Sequence, residues 1–549
     1  MARTGRIALA AAALLACALL LPACAARATA EPPLAGGGGA ALAGGSERED
    51  ADAAAAPDDA DDADDADNPE ADDADAAIDL DALDETAPPE GFEPTGAALE
   101  VRLDAYLREN APLTGVPGVA VAVVDAYGVR YLDTFGDCPG ADAPFIIGSL
   151  SKSFTAVAVM QLVEQGLVDL DAPASSYAPG YDVPDDVTVR SLLNQTSGFG
   201  YDESLAEAQA GDTFGAFSYA NANYDLLGRV IEGATGEAYA TYLSQHVLEP
   251  LGMTASTADA DEAAALGMAP GHRDWFGLHL ADGFRHAEGD DAWGGPASGY
   301  VAASVEDMAR YLQMYLNDGA AADGTPLLSV ESVSELFFDR VPDPASDTYY
   351  GMGWTSFYWD DGELVLSHDG QVENYVASMC LLPERGIGVV VLGDANDNAG
   401  GNNRFFDLAG GVVSVAIGGA GEPVDSSWTA LWRQRTDVLY AVALLASGAP
   451  LLLVGRWNRR RAEAARRSRP RSRRALAAGL VLHGALPAGI LLLPLAWGTP
   501  WRDLLAFAPD VALVLAACAG LLVLAGTAKL VLLAAARAGK PPPGSARMR

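Results

Sequence analysis

Lysine is nearly absent from this chain. Among 549 residues it occurs only at Lys152, Lys529 and Lys540, and every other strong cation is arginine. Histidine is scarce too: His246, His272, His279, His286 and His483 lack the spacing of metal ligands, so they are expected to be structural, with no metal site. Five cysteines are present. Cys17 and Cys24 fall in an N-terminal apolar segment and Cys518 in a C-terminal one, leaving Cys138 and Cys380 for the soluble part. These two either form one disulfide in an oxidising compartment or stay as separate buried thiols. No basic patch precedes the C-terminal third, which excludes nucleic acid as a partner. No cofactor is expected.

The acidity is uneven. The formal net charge is −41, and about half of it lies between Glu47 and Glu90. Residues 31–92 are Ala, Asp, Glu, Gly and Pro with almost no large apolar side chain. Such a stretch cannot bury enough surface to offset its ordering entropy, so a disordered acidic linker is expected. Its carboxylates lack the loop spacing of a calcium site.

Ahead of it, residues 1–30 read as an export signal: Arg3 and Arg6, an apolar run from Ile7 to Leu21, and the small residues Ala28-Thr29-Ala30. Leu21-Pro22-Ala23-Cys24 also has the outline of a lipoprotein box, so cleavage near Ala30, lipidation at Cys24 and an uncleaved anchor all stand as alternatives.

Residues 93–425 read as the globular part. Ala97 to Glu109 suits an amphipathic helix. Val119–Val124 and Val129–Phe135 read as strands of a hairpin turning at Asp125-Ala126-Tyr127-Gly128. A helix opening at Ser149 is expected to run to about Glu164, stopped by Gly166. A mainly helical middle follows. Leu364–Ser367, Tyr375–Leu382 and Gly388–Leu392 then read as three more strands. Strands at both ends with helices between predict an α+β domain: one antiparallel sheet from both termini, flanked by helices, with a helical subdomain.

From residue 436 the character changes. Val438–Gly455, Ala475–Trp497 and Val511 to about Ala536 are apolar runs near the length of a membrane crossing, so three transmembrane helices are expected within 436–540. Residues 456–474 carry ten arginines against the single Glu463, which marks a cytoplasmic loop. The globular part then lies outside the cell membrane, as the export signal also implies. Lys529, near the inner end of the third run, can snorkel to the interface.

Lys152 is therefore the one lysine of the soluble part, and it stands three residues after Ser149 in Ser149-Leu150-Ser151-Lys152. That spacing puts a hydroxyl and an amine on one helix face. Arginine is effectively never deprotonated, whereas a buried lysine can be. The pairing is the minimum for activating a serine without histidine. Two further short motifs follow: Tyr219-Ala220-Asn221, and His368-Asp369-Gly370 on the first of the late strands.

Taken together, S-x-x-K, Y-x-N and H-x-G in this order resemble the serine β-lactamase and penicillin-binding-protein-like hydrolases, in the branch of class C β-lactamases, D-alanyl-D-alanine carboxypeptidases and esterases. Segments between the motifs add to the resemblance: Thr188 to Gly198, Pro250-Leu251-Gly252-Met253, Ser304 to Met308 and Tyr350 to Trp354. The likeness covers roughly Leu103 to Asp397. It implies Ser149 as nucleophile and either Lys152 or Tyr219 as its base. Tyr219 needs cationic neighbours such as Lys152 or His368 for that role, because a phenol titrates near pH 10. Asn221 would orient Lys152 and a substrate amide. His368, where relatives have lysine, would supply hydrogen bonding or partial positive charge near neutral pH. Gly370 would let substrate lie close to the strand. The backbone N–H groups of Ser149 and Gln371 would bind the oxyanion. Two departures stand out: Gln195 replaces the family histidine of L-L-x-H-T-S-G, and Val372-Glu373-Asn374 replaces a glycine-bearing stretch. Both are expected to alter the rim of the site.

The expected activity is a membrane-anchored extracytoplasmic serine hydrolase working through an acyl-Ser149 intermediate. Its expected substrate is a small molecule or peptide, cell-wall derivatives included: a D-alanyl peptide, an ester or a D-amino-acid amide. Two alternatives remain. One is a non-catalytic sensor of β-lactam or peptidoglycan using the same pocket. The other treats the spans as a transport or assembly unit, though they show no charged or broken-helix pattern for a substrate path. The oligomeric state is open.

Overall fold

The structure, a computed structural model, describes residues 96–537 apart from 361, 398–400, 467–472 and 497. The export signal and the acidic linker lie outside the described residues.

The core is an eight-stranded antiparallel sheet. Strands β1 (Gly118–Asp125) and β2 (Gly128–Gly136) come from the start of the domain. The others come from its end: β3 (Val341–Pro342), β4 (Tyr349–Gly351), β5 (Trp354–Tyr358), β6 (Leu364–Val372), β7 (Tyr375–Leu382) and β8 (Ile387–Gly393). Their order is β2-β1-β8-β7-β6-β5-β4-β3. The join between the two ends is β1 against β8, with Val121 opposite Val391. The α+β class and the sheet built from both termini are therefore as the sequence predicts. Two small three-stranded sheets lie outside it.

Side chains alternate across a strand, so the apolar runs of β1 and β8 feed two cores. Val119, Val121 and Val123 join Val389 and Val391 on one face, packed by Leu99, Leu103 and Leu107 of helix α1 (Gly96–Thr114) and by Phe405, Leu408 and Val412 of a late helix. Ala120, Ala122, Val390 and Leu392 face the other core, which holds helix α2 (Ser151–Glu164). Twelve residues of α2 are buried, so it has no solvent face and serves as the centre of the helical side. Helix α3 (Asn221–Thr235) and helix α4 (Val305–Leu316), capped by Ser304 onto the Asp307 N–H, complete that side. The late helix is α5 (Asn402–Ala416).

Most of the described residues of the C-terminal region are helical. Helix α6 (Ser426–Leu452) and helix α7 (Val454–Arg466) meet at a bend of 42°. The break falls at Leu453, shortly after Pro450. The expected first span, Val438–Gly455, thus lies in α6 as far as Leu452 and meets the break only at its last residues, and much of the basic 456–474 segment is helix rather than loop. Two other stretches, Ala477–Ala496 and Pro509–Ala536, are long and apolar enough to cross a membrane, rising to three if the bent pair counts as one span. The first of these includes helix α8 (Leu486–Ala496). A short helix α9 (Trp501–Phe507) precedes α10 (Pro509–Arg537). Cys138 and Cys380 are free thiols; burial in β7 pushes Cys380 up to about 12.

Candidate active site

Ser149 sits in a single 3-10 turn, Gly148–Leu150, just ahead of α2. Two glycines set that turn against β6. Gly148 has φ +58°, and a Cβ there would meet the backbone of Gly370 and Gln371 at 2.7 Å. A Cβ on Gly370 would meet the Ile147 carbonyl oxygen at 2.2 Å. Gly370 thus seats the serine turn, because a side chain there would strike it. Strand β5 pairs with β6 only over Leu364–Ser367. Beyond Ser367 that edge of β6 is not paired with β5, and the serine turn packs against the face of β6 at Gly370 and Gln371. The Gln371 side chain is held by Asn402 Nδ2 at 2.7 Å.

Lys152 is fully buried. Its Nζ lies 2.7 Å from Asn221 Oδ1, 2.6 Å from the Ser298 carbonyl oxygen and 3.2 Å from Ser149 Oγ. The first two partners accept hydrogen bonds only. They take both hydrogens of a neutral amine and leave its lone pair toward the serine hydroxyl. Burial lowers the Lys152 amine to about 7, opposed by the carboxylate of Asp225. Asp225 stands one turn along α3 from Asn221. Burial raises its carboxyl to about 6, and it accepts from the Gly295 N–H at 2.9 Å.

Asn221 opens α3, and the loop before it is fixed by Gln195. The Gln195 Oε1 accepts from the Ala220 N–H at 2.9 Å and from Asn223 Nδ2. Gln195 is fully buried, so this departure lies beneath the site and not at its rim. Glu373 is buried as well, with His286 Nδ1 at 2.8 Å and Tyr300 Oη at 3.2 Å.

Tyr219 reaches Ser149, but its surroundings oppose ionisation. Burial, followed by the neighbouring Tyr350, holds its phenol well above 10. The Lys152 amine lies over the ring face, 4.7 Å from the centroid. His368 adds no charge: burial and then Lys152 push its imidazole down to about 3, so the expected partial positive charge near neutral pH is not present. Its Nδ1 is 2.8 Å from the Asp369 carbonyl, an acceptor, so Nδ1 carries the hydrogen and Nε2 accepts. The hydroxyl of Tyr350 is 3.4 Å from that Nε2.

The structure thus gathers Ser149, Lys152, Tyr219, Asn221, His368, Gly370 and Gln371 in one place. Sequence reading missed Ser298, Asp225 and Tyr350. Ser298 acts through its carbonyl, so no side-chain pattern marks it. Asp225 was open to detection, four residues from Asn221 on a helix. Elsewhere, Asp274, His279 and Asp397 bring potential metal-ligating atoms within 4.8 Å of one another, across a sequence separation that hides the grouping.

Residues 103–408, more than half of the chain, match the β-lactamase family. The chain belongs to that family. Among curated relatives it is 30% identical to penicillin-binding protein 4 of Amycolatopsis lactamdurans over 362 residues, 58% of this chain and 90% of that protein. It is 24% identical to protein flp of Staphylococcus aureus over 327 residues, 54% of this chain and 63% of the relative. Among solved structures, the octameric penicillin-binding protein homologue from Pyrococcus abyssi aligns at 25% identity and TM-score 0.48, covering 58% of this chain and 77% of that one. A D-stereospecific amidohydrolase from Streptomyces sp. aligns at 22% identity and TM-score 0.42, covering 58% and 98%. The S-x-x-K, Y-x-N and H-x-G residues of this sequence all lie within the matched stretch.

Proposed function

We propose that this family member is a serine acyl hydrolase, anchored in a membrane with its catalytic domain on the extracytoplasmic side. Ser149 attacks the acyl carbon and Lys152 takes its proton. The observation that carries this is the environment of Lys152 Nζ, with two acceptor-only partners and Ser149 Oγ as the third neighbour. Tyr219, kept protonated by its raised pKa, acts as a relay: it gives its proton to the leaving group as the proton taken up by Lys152 replaces it. The backbone N–H groups of Ser149 and Gln371 bind the oxyanion. Water then releases the acyl group from Ser149. A neutral His368 leaves the pocket without a cation on β6: neutral esters and D-amino-acid amides need none there, whereas the terminal carboxylate of a D-alanyl peptide has to be met by hydrogen bonds alone. The arginine bias of residues 456–474 and the apolar C-terminal helices support the anchoring and its direction.

The test is a panel of ester, D-Ala-D-Ala peptide, D-amino-acid amide and cephalosporin on the full chain in detergent, with Ser149→Ala as control. Turnover of one class, lost in the variant, is expected. Stable acylation of Ser149 by penicillin with no turnover of any class would replace the hydrolase with a sensor.

A further inference from the structure

The loop between the last two apolar helices does not stand apart from the catalytic domain. Its helix α9 presents Phe507 edge-on to Trp293, with ring centroids 5.2 Å apart and planes at 88°. Trp293 in turn packs 5.8 Å from Tyr201 and donates its indole N–H to the Tyr201 carbonyl at 3.1 Å. Tyr201 lies 6.3 Å from Tyr219. A continuous line of aromatic rings therefore runs from Phe507 to the tyrosine beside Ser149.

Polar contacts hold α9 in this place from both sides. Arg502 donates to the Asp291 carbonyl at 3.1 Å and approaches Glu207 at 3.7 Å. Arg273 donates to the carbonyls of Leu505 and Ala506 at 3.0 and 3.1 Å, where the end of a helix leaves acceptors unfilled. From below, Trp501 donates to the Leu491 carbonyl of α8 at 2.8 Å. Asp503 is largely buried, and burial with Asp202 and Glu373 nearby raises its carboxyl to about 6, so this helix reaches the Glu373 end of the site.

The loop is also short. The apolar stretches end at Ala496 and resume at Pro509, so on the anchored reading the short segment between them leaves and re-enters the membrane on one side. A seven-residue helix is only about 10 Å long and about 10 Å thick. With both ends tied to spans, α9 must lie close to the bilayer surface, and Trp293 rests directly on it.

We propose that α9 is a wall of the catalytic cleft and holds that cleft against the outer face of the membrane, so that the acyl donor is a membrane-associated amphiphile with its scissile group at headgroup level. This rests on the anchored-hydrolase reading above. Diffusion in two dimensions raises the effective concentration of such a donor, while Phe507 and Trp293 supply an apolar rim for the part that emerges.

The test uses the full chain in phosphatidylcholine–phosphatidylglycerol nanodiscs. A photo-reactive benzoylphenylalanine in place of Phe507 is expected to cross-link internally to the peptide bearing Trp293. Cross-links only to lipid or to the apolar helices would overturn the wall. Next, two esters with one acyl group are compared, one with a butyl and one with a hexadecyl alcohol. The parent chain is expected to prefer the bilayer-held ester by about tenfold or more in kcat/KM. Phe507→Ala is expected to raise KM for that ester with little change in kcat. Equal use of both esters by the parent would overturn the substrate assignment. Loss of turnover with the cross-link intact would overturn the hydrolase reading and its substrate, and leave the wall standing.

Discussion

Lys152 Nζ lies 3.2 Å from Ser149 Oγ, and both of its remaining hydrogen-bond directions end on oxygens that only accept. A neutral lysine in this place has one lone pair and one hydroxyl to spend it on.

The first prediction concerns pH. Burial lowers Lys152 to about 7. Below that value the amine holds its proton and cannot accept one from Ser149. The kcat/KM for acylation is expected to rise about tenfold per pH unit below 7 and to level off above it. A flat profile between pH 5 and 8 would remove Lys152 as base. Lys152→Arg is expected to lose at least about a thousandfold, with no recovery at high pH, because guanidinium does not deprotonate in this range.

Ser149→Ala is expected to abolish covalent labelling by a fluorophosphonate and to lower kcat by at least about a thousandfold. Intact mass of the labelled parent and peptide mapping to Ser149 check this. A label on another residue would move the nucleophile.

Tyr219→Phe separates the two candidate bases. The phenol is held protonated, so its loss removes a hydrogen bond and a proton relay, at a cost of about ten- to a hundredfold in kcat. The rising limb near pH 7 is expected to stay where it is. Its disappearance in this variant would give the limb to Tyr219.

His368 is neutral across the working range. His368→Gln is expected to leave the shape of the pH profile unchanged above pH 5. The folded-state pKa is about 3 against an unfolded value near 6.5, so between these values the unfolded chain binds more protons, and the His368 contribution falls as pH drops through that window. His368→Gln should therefore lose less stability between pH 6.5 and 3 than the parent, read from denaturant midpoints.

Gly148→Ala tests the seating of the serine turn. The added Cβ would strike the backbone of Gly370 and Gln371, and the residue would keep a positive φ. A loss of about 1–3 kcal/mol is expected, with kcat reduced more than KM is raised. Thermal unfolding and steady-state kinetics check it. An unchanged melting temperature would mean that the turn can shift freely.

Local pattern made several features legible. The hairpin of β1 and β2 showed in two apolar runs about a turn signal, and helix α2 in an apolar stretch closed by Gly166. The serine and lysine of the site share one face by helical spacing alone, and the scarcity of lysine singled out Lys152. The membrane-length runs showed in composition, although the break after Pro450 did not. Where sequence reading went astray, the cause was a contact between distant segments. Of the two roles expected of His368, hydrogen bonding and partial charge, burial by the surrounding fold removes the second. Gln195 was placed at the rim, yet it bonds beneath the loop of Tyr219 and Asn221.

By itself, then, the sequence determined which residue types could do chemistry and which segments would be helix, strand or apolar span, since spacing and composition act over a few residues. Only the tertiary structure decided what those groups are chemically. The carbonyl of Ser298 orients Lys152 from 146 positions away. Burial by the whole helical side lowers its pKa, and a phenylalanine beyond the second apolar helix reaches a tryptophan more than two hundred residues earlier. Desolvation and hydrogen-bond direction depend on every segment that closes around a group, and no local pattern carries that information.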